Sequence, residues 1–91
     1  MIDSTYKVRR YISEFCNHSD QLLAEYDLRS FDLHKFQNEF GVIDMKNPMF
    51  DCYPLHWSNI PFMKAYLSLE PEWDFVNKSY FVESQSIEEQ N

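Results

Sequence analysis

The sequence predicts a small α+β protein, a two-layer sandwich in which two short helices pack on one face of a three-stranded antiparallel sheet. Three observations favour this fold. The 91 residues are 44% hydrophobic and 18% aromatic with a single glycine, which fits one domain with one shared core. Three stretches alternate apolar and polar side chains, and two others carry helix start signals. The predicted order is β-β-α-α-β, with residues 1–84 forming the domain and 85–91 a flexible acidic tail.

The first predicted strand covers residues 6–15, which are rich in β-branched and aromatic side chains. Val8 and Ile12 lie on one alternating face, and Tyr11 and Phe15 lie on the other.

The second predicted strand covers residues 22–29, where Leu and Tyr side chains alternate with charged ones. A polar turn at 16–20 separates it from the first strand, so an antiparallel hairpin is the simplest connection. The alternative is a helix beginning at Ser19, because Leu22, Leu23 and Tyr26 also fit a period of 3.6 residues.

Residues 33–40 are predicted to form the first helix. Asp32 can accept hydrogen bonds from the first amides, and Phe31 can pack on Phe36 as a hydrophobic staple. Gly41 follows at the position where a left-handed residue commonly ends a helix.

The segment 42–56 has no clear period and is predicted to be a long connection. It is unusually apolar for a loop, so we expect it to fold back over the core with Met49 and Tyr53 buried. Phe50 and Asp51, near the tip, are the better candidates for contacting a partner.

A second helix is predicted at 58–67, with Ser58 as N-cap and Pro61 in the first turn. Trp57 and Phe62 occupy the staple positions. The third strand is predicted at 73–82. Because the tail after it is almost entirely polar, removing residues 84–91 is expected to leave the melting temperature nearly unchanged.

The net charge of −7 argues against direct nucleic-acid binding, which needs clustered Lys and Arg. No apolar run approaches the length of a membrane span, and the first residues lack a signal-peptide pattern. We therefore expect a cytoplasmic protein in which Cys16 and Cys52 are free thiols.

Catalysis is not expected. The spacing of Cys52 and His56 could present a thiolate and an imidazole or two metal ligands, but zinc sites normally need four ligands, and a catalytic Cys-His pair has no distinctive spacing. The simpler interpretation is that Cys52 is a small buried residue and His56 precedes a helix. The sequence predicts no enzyme activity, no metal and no cofactor.

The negative charge is concentrated in the last third of the chain. After Lys64 there are six carboxylates against Lys78 alone, which is −5 of the net −7. This pattern fits either a solvated acidic face or a docking surface for a basic partner. The candidate partner-binding residues are Glu70, Glu72, Asp74, Asp51 and Phe50.

Four segments carry a resemblance to a known family: LLAEYDL at 22–28, FQNEFG at 36–41, NPMFDCYP at 47–54 and YFVE at 80–83. The sequence resembles small bacterial immunity proteins encoded beside polymorphic toxins, including those of contact-dependent growth inhibition. The resemblance implies a protein that binds a cognate toxin C-terminal domain in the cytoplasm and catalyses no reaction of its own. It therefore carries over no catalytic residue.

Many such toxins are nucleases with basic clefts, so the expected partner is a basic toxin domain bound one to one. Two other classes stay open: an acidic regulatory or nucleic-acid-mimicking module, and a small enzyme with Cys52 and His56 in one pocket. The toxin's activity and the oligomeric state are open as well.

Overall fold

The computed structural model describes residues 2–3 and 7–87. It has the predicted class, a small α+β fold built on an antiparallel sheet. The elements in chain order are β1 (Ile2–Asp3), β2 (Val8–Cys16), β3 (Leu22–Asp27), α1 (Leu33–Glu39), β4 (Tyr53–Pro54), α2 (Ile60–Met63) and β5 (Lys78–Ser86). Two 3-10 helices, Trp57–Asn59 and Lys64–Tyr66, flank α2.

The sheet is centred on β2, which pairs antiparallel with β3 on one side and with β5 on the other. The prediction of three strands was wrong, because the described sheet also contains β1 and β4 and so has five. β3 pairs only with Tyr11 to Phe15, which leaves Val8 and Arg9 free to pair with β1. β4 pairs with the outer edge of β5. Two-residue strands have no alternation to detect, so the predicted order lacked both.

The predicted hairpin is confirmed, and the alternative helix from Ser19 is wrong. β2 and β3 pair with Ser13 opposite Glu25 and Ile12 opposite Tyr26. This register places Tyr26 on the core face of the sheet and Glu25 on the opposite face.

β5 is displaced toward the C-terminus relative to the predicted strand at 73–82. Its start is delayed because the Asp74 carboxylate accepts the backbone N–H groups of Val76 and Asn77 at 3.1 Å each, which holds a turn. The strand ends at Ser86, which pairs with Val8, and so extends beyond residue 84, the predicted end of the domain. Removing residues 84–91 would therefore delete part of the sheet, contrary to expectation, and 88–91 lie outside the described residues.

The first helix is confirmed with its predicted signals. The Asp32 carboxylate accepts the Lys35 backbone N–H at 3.2 Å, and the ring centroids of Phe31 and Phe36 are 4.3 Å apart. Gly41 adopts a φ of 70°, as expected for the residue that ends this helix.

The second helix is not the continuous helix predicted at 58–67. Only α2 is α-helical, and 3-10 turns precede and follow it. The buried side chains Ile60, Met63 and Tyr66 recur every three residues, which is the period of a 3-10 helix. The predicted staple of Trp57 on Phe62 is also wrong, because the Trp57 ring packs elsewhere, as described below.

The core lies on one face of the sheet, and both helices cover that face as predicted. Its buried members are Ile12, Leu28, Phe36, Met49, Leu55, Met63, Tyr66, Leu67, Tyr80 and Val82. The loop at 42–56 folds back over this core as expected. Met49 is buried, whereas Tyr53 is only half-buried against the cluster.

Arg10 fixes this loop from the centre of the sheet. Its side chain is buried, and its guanidinium donates hydrogen bonds to the carbonyl oxygens of Met49 at 2.6 Å and Pro48 at 2.7 Å. The guanidinium also lies 4.4 Å from the centroid of the Phe31 ring. Within the described residues, no helix has the length and apolar character needed to cross a membrane.

Candidate partner-binding surfaces

Residues 68–77, which we call the acidic loop, connect the last 3-10 helix to β5 and carry three of the predicted site residues. Glu70 and Glu72 are exposed, and neither forms an ion pair with a described residue. Glu70 accepts a hydrogen bond from the Trp73 indole Nε1 at 2.8 Å. Both carboxylates are therefore available to a positively charged partner.

Asp74 lies in the same loop, but its carboxylate is already in use. In addition to the two backbone N–H groups that it accepts, its second oxygen accepts the Asn77 side-chain amide at 3.0 Å. These hydrogen bonds from Asn77 hold the pKa of Asp74 below its usual value. Asp74 shapes the turn before β5, so replacing it would change the loop as well as its charge.

Aromatic side chains lie beside these carboxylates. The Trp57 and Phe75 rings meet edge to face with centroids 5.5 Å apart, and Trp73 stacks on Phe75 at 6.0 Å. Trp57 is 68% exposed, and Val76 next to Phe75 is 84% exposed. Tryptophan is among the residues that most often dominate binding energy at interfaces. The sequence did not reveal this cluster, because it joins residues from two separate segments.

The other two predicted residues, Phe50 and Asp51, lie at the opposite end of β5. The Ser84 hydroxyl donates to the Phe50 carbonyl at 3.0 Å, whereas the acidic loop meets β5 at Lys78. Lys78 and Ser84 are six residues apart in a strand, about 20 Å. Phe50 is 47% exposed and Asp51 is exposed. The five predicted residues therefore form two separate groups.

The sheet face opposite the helices, which we call the open face, is a third surface that sequence reasoning missed. Strand pairing places Arg9, Tyr11, Ser13 and Phe15 on it. It also carries Phe81, Glu83, Glu25 and Asp27 from the neighbouring strands. Arg9 forms ion pairs with Glu25 at 3.0 Å and Asp27 at 2.7 Å. The alternation in β2 placed Tyr11 and Phe15 on the face opposite Val8 and Ile12, but their neighbours on the sheet depend on pairing between distant segments.

A cavity of about 360 Å³, which we call the open-face groove, opens on this surface. Its walls are the rings of Phe15 and Phe81, which meet edge to face with centroids 5.8 Å apart. The full lining is Phe15, Cys16, Asn17, Asp20, Cys52, Ser79, Phe81 and Glu83. The groove is thus apolar in its middle and carries a carboxylate toward each end.

Cys52 and His56 do not share a cavity. Cys52 lines the open-face groove, whereas His56 lines a separate cavity of about 290 Å³ with Glu39 and Tyr53. Cys52 is exposed, so the expectation that it is a buried core residue was wrong. Partial burial and the Glu83 carboxylate raise the pKa of its thiol, which disfavours the reactive thiolate.

Both cysteines are free. Cys16 pairs with Lys78 while Tyr53, next to Cys52, pairs with Val82, so the two cysteines lie about 13 Å or more apart along the sheet. A disulfide between them would need Cα atoms within about 7 Å. The described residues contain no group of three or more His, Cys, Asp or Glu side chains arranged to hold a metal ion.

Comparison with known proteins gives a family but no function. A family described as a domain of unknown function, DUF7683, matches residues 9–83, which extend from β2 to β5. The chain belongs to this family. No curated protein and no solved structure matches it. The DUF7683 match covers the acidic loop, the open face and the loop that carries Phe50.

Proposed function

We propose that this DUF7683 protein binds and neutralises a basic toxin domain, as an immunity protein of a polymorphic toxin system, in the cytoplasm of the producing cell. The observation that carries the proposal is the exposed Trp57, whose ring contacts Phe75 of the acidic loop. In the same loop Glu70 and Glu72 are exposed and form no ion pair with a described residue. Large exposed rings and available negative charge on one surface suit a protein partner of opposite charge.

Each part of this surface has its own role in binding. The carboxylates attract a basic partner before contact and raise the association rate. The rings of Trp57 and Phe75 supply apolar area that binding removes from water, which slows dissociation. A nuclease with a basic cleft presents the complementary charge, and covering that cleft would block its substrate.

The link to toxins comes from the resemblance of four sequence segments to immunity proteins. It implies that a neighbouring gene encodes the partner. The test is to express the C-terminal domain of the adjacent upstream open reading frame in cells, with and without this protein. We expect that domain to arrest growth alone and to be harmless when this protein is present. A toxic domain that this protein neither binds nor neutralises would overturn the proposal.

Charge variants locate the contact. Glu70→Lys/Glu72→Lys reverses the available carboxylates and leaves Asp74 to hold its turn. For a matched comparison, Glu72→Lys and Asp51→Lys each make the same change in net charge, and both carboxylates are exposed. We expect Glu70→Lys/Glu72→Lys and Glu72→Lys to protect cells less well, and Asp51→Lys, in the loop at 42–56, to protect as the wild type does. The opposite ranking would show that the toxin contacts the surface around Phe50 and not the acidic loop.

A further inference from the structure

The open-face groove contains the two carboxylates on this side of the sheet that no described cation neutralises. Arg9 is paired with Glu25 and Asp27, and Lys78 Nζ lies 3.8 Å from the Glu14 carboxylate. Glu83 and Asp20 form no ion pair with a described residue, yet both line the groove. Glu83 is half-buried, so a cation that reaches it is partly shielded from water and salt.

The middle of the groove has a different character. Phe15 and Phe81 are half-buried with their rings in contact, and they form an apolar wall between the two carboxylates. An aliphatic side chain placed there would remove its own surface and that of both rings from water. A cation passing the rings would also be attracted to their faces.

The separation of the two carboxylates sets the length of the occupant. Asp20 lies in the turn that follows Cys16, where its backbone N–H donates to the Cys16 carbonyl at 2.9 Å. Cys16 is opposite Lys78, and Lys78 is five residues before Glu83 in β5, a distance of about 17 Å. An extended five-residue segment spans about 13 Å between its end Cα atoms, and two long basic side chains can reach the remaining distance.

We propose that the open-face groove binds an extended segment of the basic partner in which one aliphatic side chain lies between two Lys or Arg residues. Alternate residues of an extended segment face the same side, so positions one, three and five enter the groove together. The outer two reach Asp20 and Glu83, and the middle one packs on Phe15 and Phe81. The proposal rests on the proposed function for the identity of the partner, but the chemistry of the groove can be tested independently.

The test uses the full chain labelled with ¹⁵N and two capped synthetic peptides, Arg-Thr-Leu-Thr-Arg and Glu-Thr-Leu-Thr-Glu. We expect the basic peptide to shift the amide signals of Phe15, Asp20, Phe81 and Glu83 in a saturable manner, and the acidic peptide to leave them unchanged. Equal shifts with both peptides, shifts confined to other surfaces, or no shifts with the basic peptide would overturn the proposal.

Two matched variants test the residues. Asp20→Asn/Glu83→Gln removes both charges with little change in shape. It should raise the Kd of the basic peptide about fivefold, as expected for the loss of two surface ion pairs. Glu70→Gln/Glu72→Gln removes the same charge from the acidic loop and should leave peptide binding unchanged. Equal weakening by both variants would mean that net charge, and not the groove, attracts the peptide.

The cell assay separates this proposal from the proposed function. If the wild type protects against the toxin and Asp20→Asn/Glu83→Gln protects equally well, the groove is not part of the toxin interface and this proposal fails alone. If the wild type gives no protection but the basic peptide binds in the groove, the proposed function fails and the groove retains its ligand chemistry.

Discussion

At the scale of single residues, Arg10 shows how one buried charge can organise a long loop. Its guanidinium is 1% exposed and donates to two carbonyl groups of the loop at 42–56. Lysine keeps the charge but cannot present the same planar set of donors. Arg10→Lys should therefore lower the free energy of unfolding by about 2 kcal/mol or more, measured by urea denaturation.

The matched control for that variant is Arg9→Lys in the same strand. Arg9 faces outward, where it makes surface ion pairs and its guanidinium lies 4.2 Å from the centroid of the Tyr11 ring. Lysine can keep both kinds of contact, so this replacement should cost about 1 kcal/mol or less. Similar losses for the two variants would show that Arg10 does not hold the loop in the way described.

Phe36 is the central ring of the aromatic core. It is fully buried and packs against Phe31, Phe40, Phe62 and Tyr66. Phe36→Ala should lower the free energy of unfolding by about 3 to 5 kcal/mol, measured by chemical denaturation. Phe62→Ala should cost less, because that ring is only half-buried. The reverse ranking would contradict this account of the core.

Tyr80 makes stability depend on pH in the alkaline range. Burial, together with the nearby Glu14 carboxylate, raises the pKa of its hydroxyl from 10 to about 12. The folded state thus favours the neutral phenol. The neutral Tyr80 phenol therefore contributes about 2 to 3 kcal/mol to the free energy of unfolding. This contribution is complete below pH 10 and is lost as the pH rises toward 12.

Denaturant unfolding at pH 9 and pH 11.5 tests this dependence. Tyr80→Phe should show a smaller loss between the two values than the wild type does. Some loss should remain in the variant, because burial also raises the pKa of Tyr11 and of Tyr26. An equal loss in both proteins would show that another group is responsible.

At the scale of secondary-structure elements, the end of β5 gives a direct test of the sheet boundary. Ser84, Gln85 and Ser86 pair with the first three residues of β2. Deleting residues 84–91 removes this pairing and should lower the melting temperature by several degrees, because each kcal/mol is worth about 4 to 8 °C in a domain of this size. Deleting only 88–91 is the control and should have a smaller effect, measured by thermal unfolding.

The elements that the sequence predicted correctly are those with a local cause. The hairpin follows from alternation on both sides of a polar turn, and α1 follows from Asp32 and Gly41. The elements that were missed lack a local pattern. β1 pairs with the start of the neighbouring β2, but it has only two residues and so shows no alternation. β4 is equally short and pairs with β5, which is distant in the chain. The break of the second helix reflects the packing of its side chains on the core.

The candidate surfaces divide in the same way. Counting charge along the chain identified Glu70 and Glu72, because charge is a property of each residue alone. The contact of Trp57 with Phe75 joins two segments, and the open-face groove joins β2, β5, the hairpin turn and Cys52. No pattern within a single segment specifies such a contact.

At the scale of the whole molecule, the net charge of −7 should govern how fast the partner binds. Charges on the surface are screened over about 8 to 10 Å at physiological salt. Raising the salt should therefore slow association with the proposed toxin domain far more than it changes dissociation, measured by stopped-flow fluorescence. Glu70→Lys/Glu72→Lys should associate more slowly and with a weaker dependence on salt. An unchanged salt dependence in this variant would remove the acidic loop from the docking process.

The central pairing of β2 with β5 also has a consequence for how the chain reaches its fold. The partners in these two strands lie about 60 to 80 positions apart in the sequence. Closing so long a loop costs entropy before the contacts can compensate for it, and domains dominated by distant pairings fold slowly, in milliseconds to seconds. During synthesis, β2 and β3 can form their hairpin early, but the other edge of β2 stays unpaired until β5 leaves the ribosome. Until then the nascent chain exposes a strand edge and an uncovered apolar face, which makes that interval its period of greatest exposure to aggregation.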